Sequence, residues 1–272
     1  MSSPTWTTRA VGSEARTERF DVWRAVEAQH VAATMALVDT LEEQQALERI
    51  LDEAKPPVPE AARKLHWLLF TPFRYPPPPR GSRFRGPNDP GVFYGADEIR
   101  TACAELGYWR WRHLLDTPAL AAMPTKPQTV FRAAIAGAAI DLRRAPFNGA
   151  RARWTDPVDY AHCQAFARTA REAAVAAIRY ESVRDPQHAG CAAVLAPAAF
   201  ARVSPLDQQT WMLSVSRERV VWQRTAVTRE QAFLFDAATW RAPAPAPRKR
   251  SLAGLRATRS GPIRPRGGPS GS

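Results

Sequence analysis

Four consecutive prolines, Pro76 to Pro79, set the first limit on how this chain folds. Proline has no backbone N–H to donate and its ring fixes φ at about −65°, so neither a helix interior nor an inner strand passes through such a run. The crossing Arg74-Tyr-Pro-Pro-Pro-Pro-Arg80 therefore separates two textures. Before it, from Glu18 to about Phe70, the pattern is helical. Trp23, Val26, His30, Ala33 and Leu37 fall at steps of three and four and predict one helix, with His30 as a hydrogen-bonded core residue. Thr40-Leu-Glu-Glu43 reads as a capping box opening a second helix, which stops before Pro56-Pro57. A third helix is expected from Pro59 to Phe70, and residues 1–17 are polar, aperiodic and expected to be mobile.

Beyond the prolines the text mixes strands and helices. Val92-Phe-Tyr94 follows a Pro-Gly turn and reads as a strand. Asp97 can cap a helix reaching Leu115, Val130–Leu142 is strand-like in part, and Asp156-Pro157 opens a helix to about Ala174. Val175–Tyr180 and Cys191–Leu195 read as buried strands, and Trp211–Ser216 with Arg219–Arg224 as a hairpin. Without regular βαβ alternation, this predicts an α+β domain over 70–240 with a mixed or antiparallel β core, behind a helical N-terminal extension over 18–69.

Composition narrows the class. The chain has 272 residues, 45% apolar and 24% charged, enough for a substantial core and too apolar for wholesale disorder. Three cysteines without a CxxC spacing argue against a disulfide framework or a zinc ribbon and fit a reducing cytoplasm. The opening MSSPTWTTRA has no apolar signal core, and the run Ala133–Ile140 is too short to cross a bilayer. The expectation is a soluble, cytoplasmic protein without a membrane partner. The net charge of +12 is concentrated at one end: eight of the 38 basic residues and no acidic one lie in 241–272, leaving 30 against 26, or +4, elsewhere. That proline- and glycine-rich tail is expected to be disordered, either as a solubilising terminus or as a non-specific nucleic-acid contact.

The common catalytic signatures are missing. There is no GxGxxG, GxxxxGK[ST], HExxH or GxSxG, and the five scattered histidines form no i,i+4 pair, so no metal site is expected. One segment is densely equipped: Phe73 to Glu105 gathers Arg74, Arg80, Arg83 and Arg85, then an aromatic strand, then a helix bearing Glu105. Arginine suits forked bonding to phosphate or carboxylate. Arg80 and Arg85 read as a solvated face. Arg74 and Arg83 each stand beside aromatics able to fix the backbone and read as the better candidates. Glu105 lies at the edge of the stripe Ile99, Cys103, Leu106, either as a solvated residue near Arg100 or Arg110, or as a desolvated carboxylate needing a partner. Tyr94 reads as strand packing or as a functional aromatic, and Ser182 as a turn residue near Asp185-Pro186 or a polar contact.

Arg83, Tyr94 and Glu105 stand eleven and eleven apart in GSRF…GVFYGADEIRTACAE, and IRYESVRDP follows with Ser182. Over roughly residues 70 to 200 this pattern resembles the RES domain, a toxin family with an ADP-ribosyltransferase-like fold whose members consume NAD. The resemblance implies that Arg83 binds the pyrophosphate or adjoining ribose, with Arg74 as a second cation. It also implies that Tyr94 stacks on the nicotinamide, Glu105 faces the nicotinamide ribose and Ser182 hydrogen-bonds the dinucleotide. It implies NAD as a substrate, inorganic phosphate as acceptor in an NAD phosphorylase-like reaction, and an Xre-type antitoxin as partner. A protein acceptor, giving protein ADP-ribosylation, is the alternative. A non-enzymatic adaptor that binds nucleic acid through the tail is the second alternative.

Overall fold

The computed structural model describes residues 6–28, 39–225 and 230–241. Its centre is β3, Ala122–Asp141, a strand of 20 residues that three neighbours share. On one side it pairs antiparallel with β1, Arg16–Glu27, through twelve positions from Arg16↔Ala139 to Glu27↔Gln128. On the other it pairs with β6, Asp207–Ser216, along its first half and with β4, Ala177–Glu181, at its last three residues. The β3–β4 ladder is the parallel one; the others are antiparallel. β5, Gly190–Val194, joins β4 to β2, Phe93–Ala96, and β2 returns to β1 through the single pair Trp23↔Ala96. The five strands β1-β2-β5-β4-β3 thus form a closed ring, and β6, β7 (Arg219–Thr225) and β8 (Glu230–Asp236) extend from it.

The ring closes tightly at Gly95, where a Cβ would sit 2.6 Å from Val22 Cγ2, so a bare backbone is needed for β1 to approach β2. Six α-helices accompany the sheet among the described residues. They are α1 (Thr8–Glu14), α2 (Leu41–Glu53), α3 (Trp67–Arg74), α4 (Ile99–Leu115), the short α5 (Arg151–Trp154) and α6 (Ala161–Glu172). α4 packs Trp111 and Leu114 onto Val130, Trp211, Trp222 and Phe235, all buried. Each such tryptophan removes ~200 Å² from water, about 5 kcal/mol of gross stabilisation at ~25 cal/mol per Å². A second cluster sets Phe84, Trp154 and Phe166 against Ile178 and Tyr180, and a third joins Leu69, Phe93, Phe131 and Phe200.

This is the expected α+β architecture with a largely antiparallel core. The Thr40–Glu43 capping box is formed: Thr40 Oγ1 accepts from Glu43 N at 3.1 Å, and Glu43 Oε2 accepts from Thr40 N at 3.3 Å. The first helix expected from Glu18 is instead strand β1 over its described part. Trp23 and Val26 satisfy a helical step, but twelve ladder positions against β3 outweigh local periodicity. The end of that expected helix, with His30, Ala33 and Leu37, lies outside the described residues, as do residues 242–272. Residues 8–14, expected to be mobile, form α1, capped by Thr7 and anchored by the fully buried Val11.

The third expected helix, Pro59–Phe70, divides into a 3-10 turn at Glu60–Ala62 and α3, which begins where His66 Nδ1 accepts from Leu68 N. Asp97 does not cap α4; its carboxylate pairs with Arg143 and Arg179. Asp156 does not start α6; its Oδ1 closes a turn by accepting from Val158 N and Asp159 N, and the helix opens at Ala161. β3 starts eight residues before the expected Val130, and β8 was not foreseen.

Candidate active site

A cleft of about 350 Å³, within the range of small-molecule sites, opens where β1 and β2 meet under α4. Trp23 and Arg24 come from β1, Tyr94 from β2, Glu105 and Trp109 from α4, and Tyr180 and Cys191 from β4 and β5. The loop bearing Arg83, Tyr160 at the start of α6 and Arg184 in the loop after β4 complete the wall.

The Arg83 loop is a tight turn. Gly81 has φ +71°, and a Cβ there would meet Arg85 O at 2.1 Å. Gln164 on α6 staples the turn by donating Nε2 to Arg80 O and Ser82 O at 3.1 and 3.0 Å. Arg83 is thereby buried, with Nη1 donating to Trp154 O and Asp156 O at 2.9 Å each and the guanidinium 4.7 Å from the Tyr160 ring centre. Burial acts to lower its pKa, but Cys163, Tyr180, Tyr160 and Glu105 carry it above the ordinary value, so the cation is secure. Tyr94 is pushed up to about 12 by burial, against its bonds to Ser82 and Phe84, and so remains a neutral phenol. Its hydroxyl accepts from Phe84 N at 2.9 Å and lies 2.7 Å from Ser82 Oγ, which fixes the arginine turn against β2.

Glu105 faces this pair from α4. Ser182 Oγ accepts from Arg184 N (3.2 Å) and Asp185 N (2.9 Å), filling both its lone pairs. Its one proton is therefore donated to Glu105 Oε1, at 2.6 Å. Oε2 carries no hydrogen bond among the described residues and is the oxygen left for the cleft. Burial raises the Glu105 pKa, while the Ser182 bond and the charges of Arg83 and Arg184 oppose that rise and Asp185 adds to it. Asp185 is itself fully buried, bonded to Thr101 Oγ1 at 2.7 Å and paired with Arg100, which locks the serine turn onto α4.

The structure brings Arg83, Tyr94 and Glu105 to one cleft. Ser182 stands behind Glu105 instead of lining the cleft, and its hydroxyl donates to the carboxylate. Arg74 ends α3, donates Nε to Pro56 O and does not line the cleft. Two other cations do. Arg24 donates to Tyr94 O at 2.7 Å, packs 4.9 Å from the Phe93 ring, and holds a buried Nε with no hydrogen bond; burial pulls its pKa down to about 10. Arg184 is the second. Arg24 was hidden by the helical reading of β1, whereas Arg184 and Tyr160 stand within the quoted serine segment and the helix before it.

Among the described residues no group of three or more His, Cys, Asp or Glu is placed to hold a metal ion, and no helix is long and apolar enough to cross a membrane. No curated protein matches the chain. The RES domain family model matches residues 57–216, more than half of the chain, and the protein accordingly belongs to this family of ADP-ribosyltransferase-like, toxin-related domains with NAD-linked function.

Proposed function

We propose that this protein is an NAD-degrading toxin that cleaves the nicotinamide–ribosyl bond, with inorganic phosphate as acceptor. The observation that carries the reading is the half-buried Glu105, which lines a cleft of arginines and aromatics with one oxygen held by Ser182 and the other without a hydrogen bond among the described residues. Breaking the C1″–nitrogen bond sends its electron pair to nicotinamide, which leaves as a neutral molecule. Positive charge develops on C1″, and a desolvated carboxylate stabilises it more than water does. The leaving group is already cationic, so a site without a catalytic histidine suffices.

The remaining residues fit the rest of such a substrate. Arg24 and Arg83 both line the cleft and offer guanidinium charge to a diphosphate. Tyr94, neutral and immobilised, and Trp109 offer aromatic faces to the pyridinium ring. The test is incubation of purified protein with NAD, with and without phosphate, and identification of products by mass spectrometry. ADP-ribose-1″-phosphate and nicotinamide are expected, and Glu105→Ala is expected to yield neither. A mass increment on a protein would indicate a protein acceptor, and intact NAD would refute the reading.

A further inference from the structure

The cleft holds three guanidiniums, Arg24, Arg83 and Arg184, against one carboxylate, Glu105. A bound dinucleotide contributes two negative charges from its diphosphate and one positive charge from its pyridinium. One cationic charge is left over. Of the three arginines, Arg83 and Arg184 act electrostatically on Glu105, and Arg83 is already tied to the carbonyls of Trp154 and Asp156.

Arg184 is built differently. Its guanidinium carbon lies 3.8 Å from the centre of the Tyr108 ring, and Nη2 donates to Pro157 O at 2.6 Å and to Tyr160 Oη at 3.0 Å. Trp240 Nε1 donates to its backbone oxygen at 2.6 Å. The side chain is 7% exposed and fixed in place. Nε and Nη1, with three N–H bonds between them, have no partner among the described residues and are not sealed from solvent. A structural arginine at this depth has its donors satisfied. A water acceptor gains little from a cation beside the carboxylate, because water needs a base to remove its proton. An oxyanion acceptor gains directly.

We propose that Arg184, held by Tyr108 and Tyr160, forms an acceptor subsite for a tetrahedral oxyanion, inorganic phosphate, beside Glu105. This rests on the NAD-cleaving reading and adds to it the residue that binds the acceptor. An oxygen of hydrogenphosphate forms the new bond to C1″ as the bond to nicotinamide breaks. The product is the 1″-phosphate monoester, which keeps the phosphate proton; no other proton moves and nothing is oxidised or reduced.

The test uses full-length protein, wild type and Arg184→Gln, which removes the charge and the guanidinium fork and keeps a polar amide in their place. NAD loss is followed against inorganic phosphate concentration, and thermal stability is followed against phosphate without NAD. In wild type, NAD loss and stability are expected to rise with phosphate. In Arg184→Gln the half-saturating phosphate concentration is expected to rise on the order of 10- to 100-fold, the loss of a charge-assisted hydrogen-bonding group. The 1″-phosphate should give way to free ADP-ribose. An unchanged half-saturation in the variant, or wild-type NAD loss indifferent to phosphate, overturns the subsite while leaving NAD cleavage intact. If wild type leaves NAD untouched, the cleavage reading fails on its own. Phosphate stabilisation lost in Arg184→Gln would still support the anion subsite, and absent stabilisation would overturn it. Should Arg184→Gln not fold, Arg184→Lys replaces it; a wild-type phosphate response in that variant would refute a need for the guanidinium fork.

Discussion

Replacing Ser182 with alanine isolates a positioning hydroxyl from the residues that face the cleft. The substitution deletes three hydrogen bonds at once: the donation to Glu105 Oε1 and the two acceptances from Arg184 N and Asp185 N. The residue is fully buried, so water does not replace them. At about 1 kcal/mol for each neutral bond and roughly 1.5–3 for the bond to a charged group, the expected loss is about 3.5–5 kcal/mol of folding stability. Denaturant unfolding measures it directly. Catalysis should change in a second, independent way. The Ser182 bond lowers the Glu105 pKa against burial, so removing it raises that pKa further. If NAD cleavage needs the ionised carboxylate, the acid limb of the pH–rate profile moves to higher pH, with kcat falling more than KM rises. Ser182→Thr, which keeps the hydroxyl, should restore much of both. A stability loss under 1 kcal/mol, or an acid limb that moves down or stays, refutes the positioning role.

Glu105→Gln should stabilise the fold at neutral pH while abolishing NAD loss. A carboxylate whose folded pKa is raised contributes fully below its unfolded pKa, and that contribution is lost as pH rises through the folded value. The stability gap between variant and wild type, read by thermal unfolding across pH, should therefore open upward from about pH 4. Arg83→Lys should not restore the activity that Arg83→Ala loses, because the bonds to Trp154 O and Asp156 O occupy Nη1 alone and an ammonium tied to the same carbonyls lacks the planar fork that leaves Nε and Nη2 for a ligand; NAD turnover by each variant decides this. Gly95→Ala forces a Cβ to within 2.6 Å of Val22 Cγ2, on a stiff, fully buried β-branched side chain, and should cost about 1–3 kcal/mol in denaturant unfolding.

Where local chemistry decided the outcome, the sequence was legible. The Thr40–Glu43 capping box, the helix over Ile99–Leu115 and the β6–β7 hairpin follow from groups within a few residues of each other. Arg83, Tyr94 and Glu105 were singled out through the resemblance to the RES domain, and one turn, one strand and one helix carry them in direct succession. β1 could not be read in this way. Its apolar residues satisfy a helical period, and only pairing with β3, more than a hundred residues away, makes it a strand and delivers Arg24 to the cleft.

The mixed pattern of strand and helix signals in the chain thus indicated the α+β class. The carboxylate–arginine–aromatic set came from the resemblance to the RES domain, since side-chain chemistry by itself left Tyr94, Glu105 and Ser182 open between structural and functional readings. The tertiary structure decided where each group stands. It placed Ser182 behind Glu105, left Arg74 outside and recruited Arg24 and Arg184, because burial, lone-pair occupancy and the field at a carboxylate depend on neighbours that only the closed ring of strands brings together.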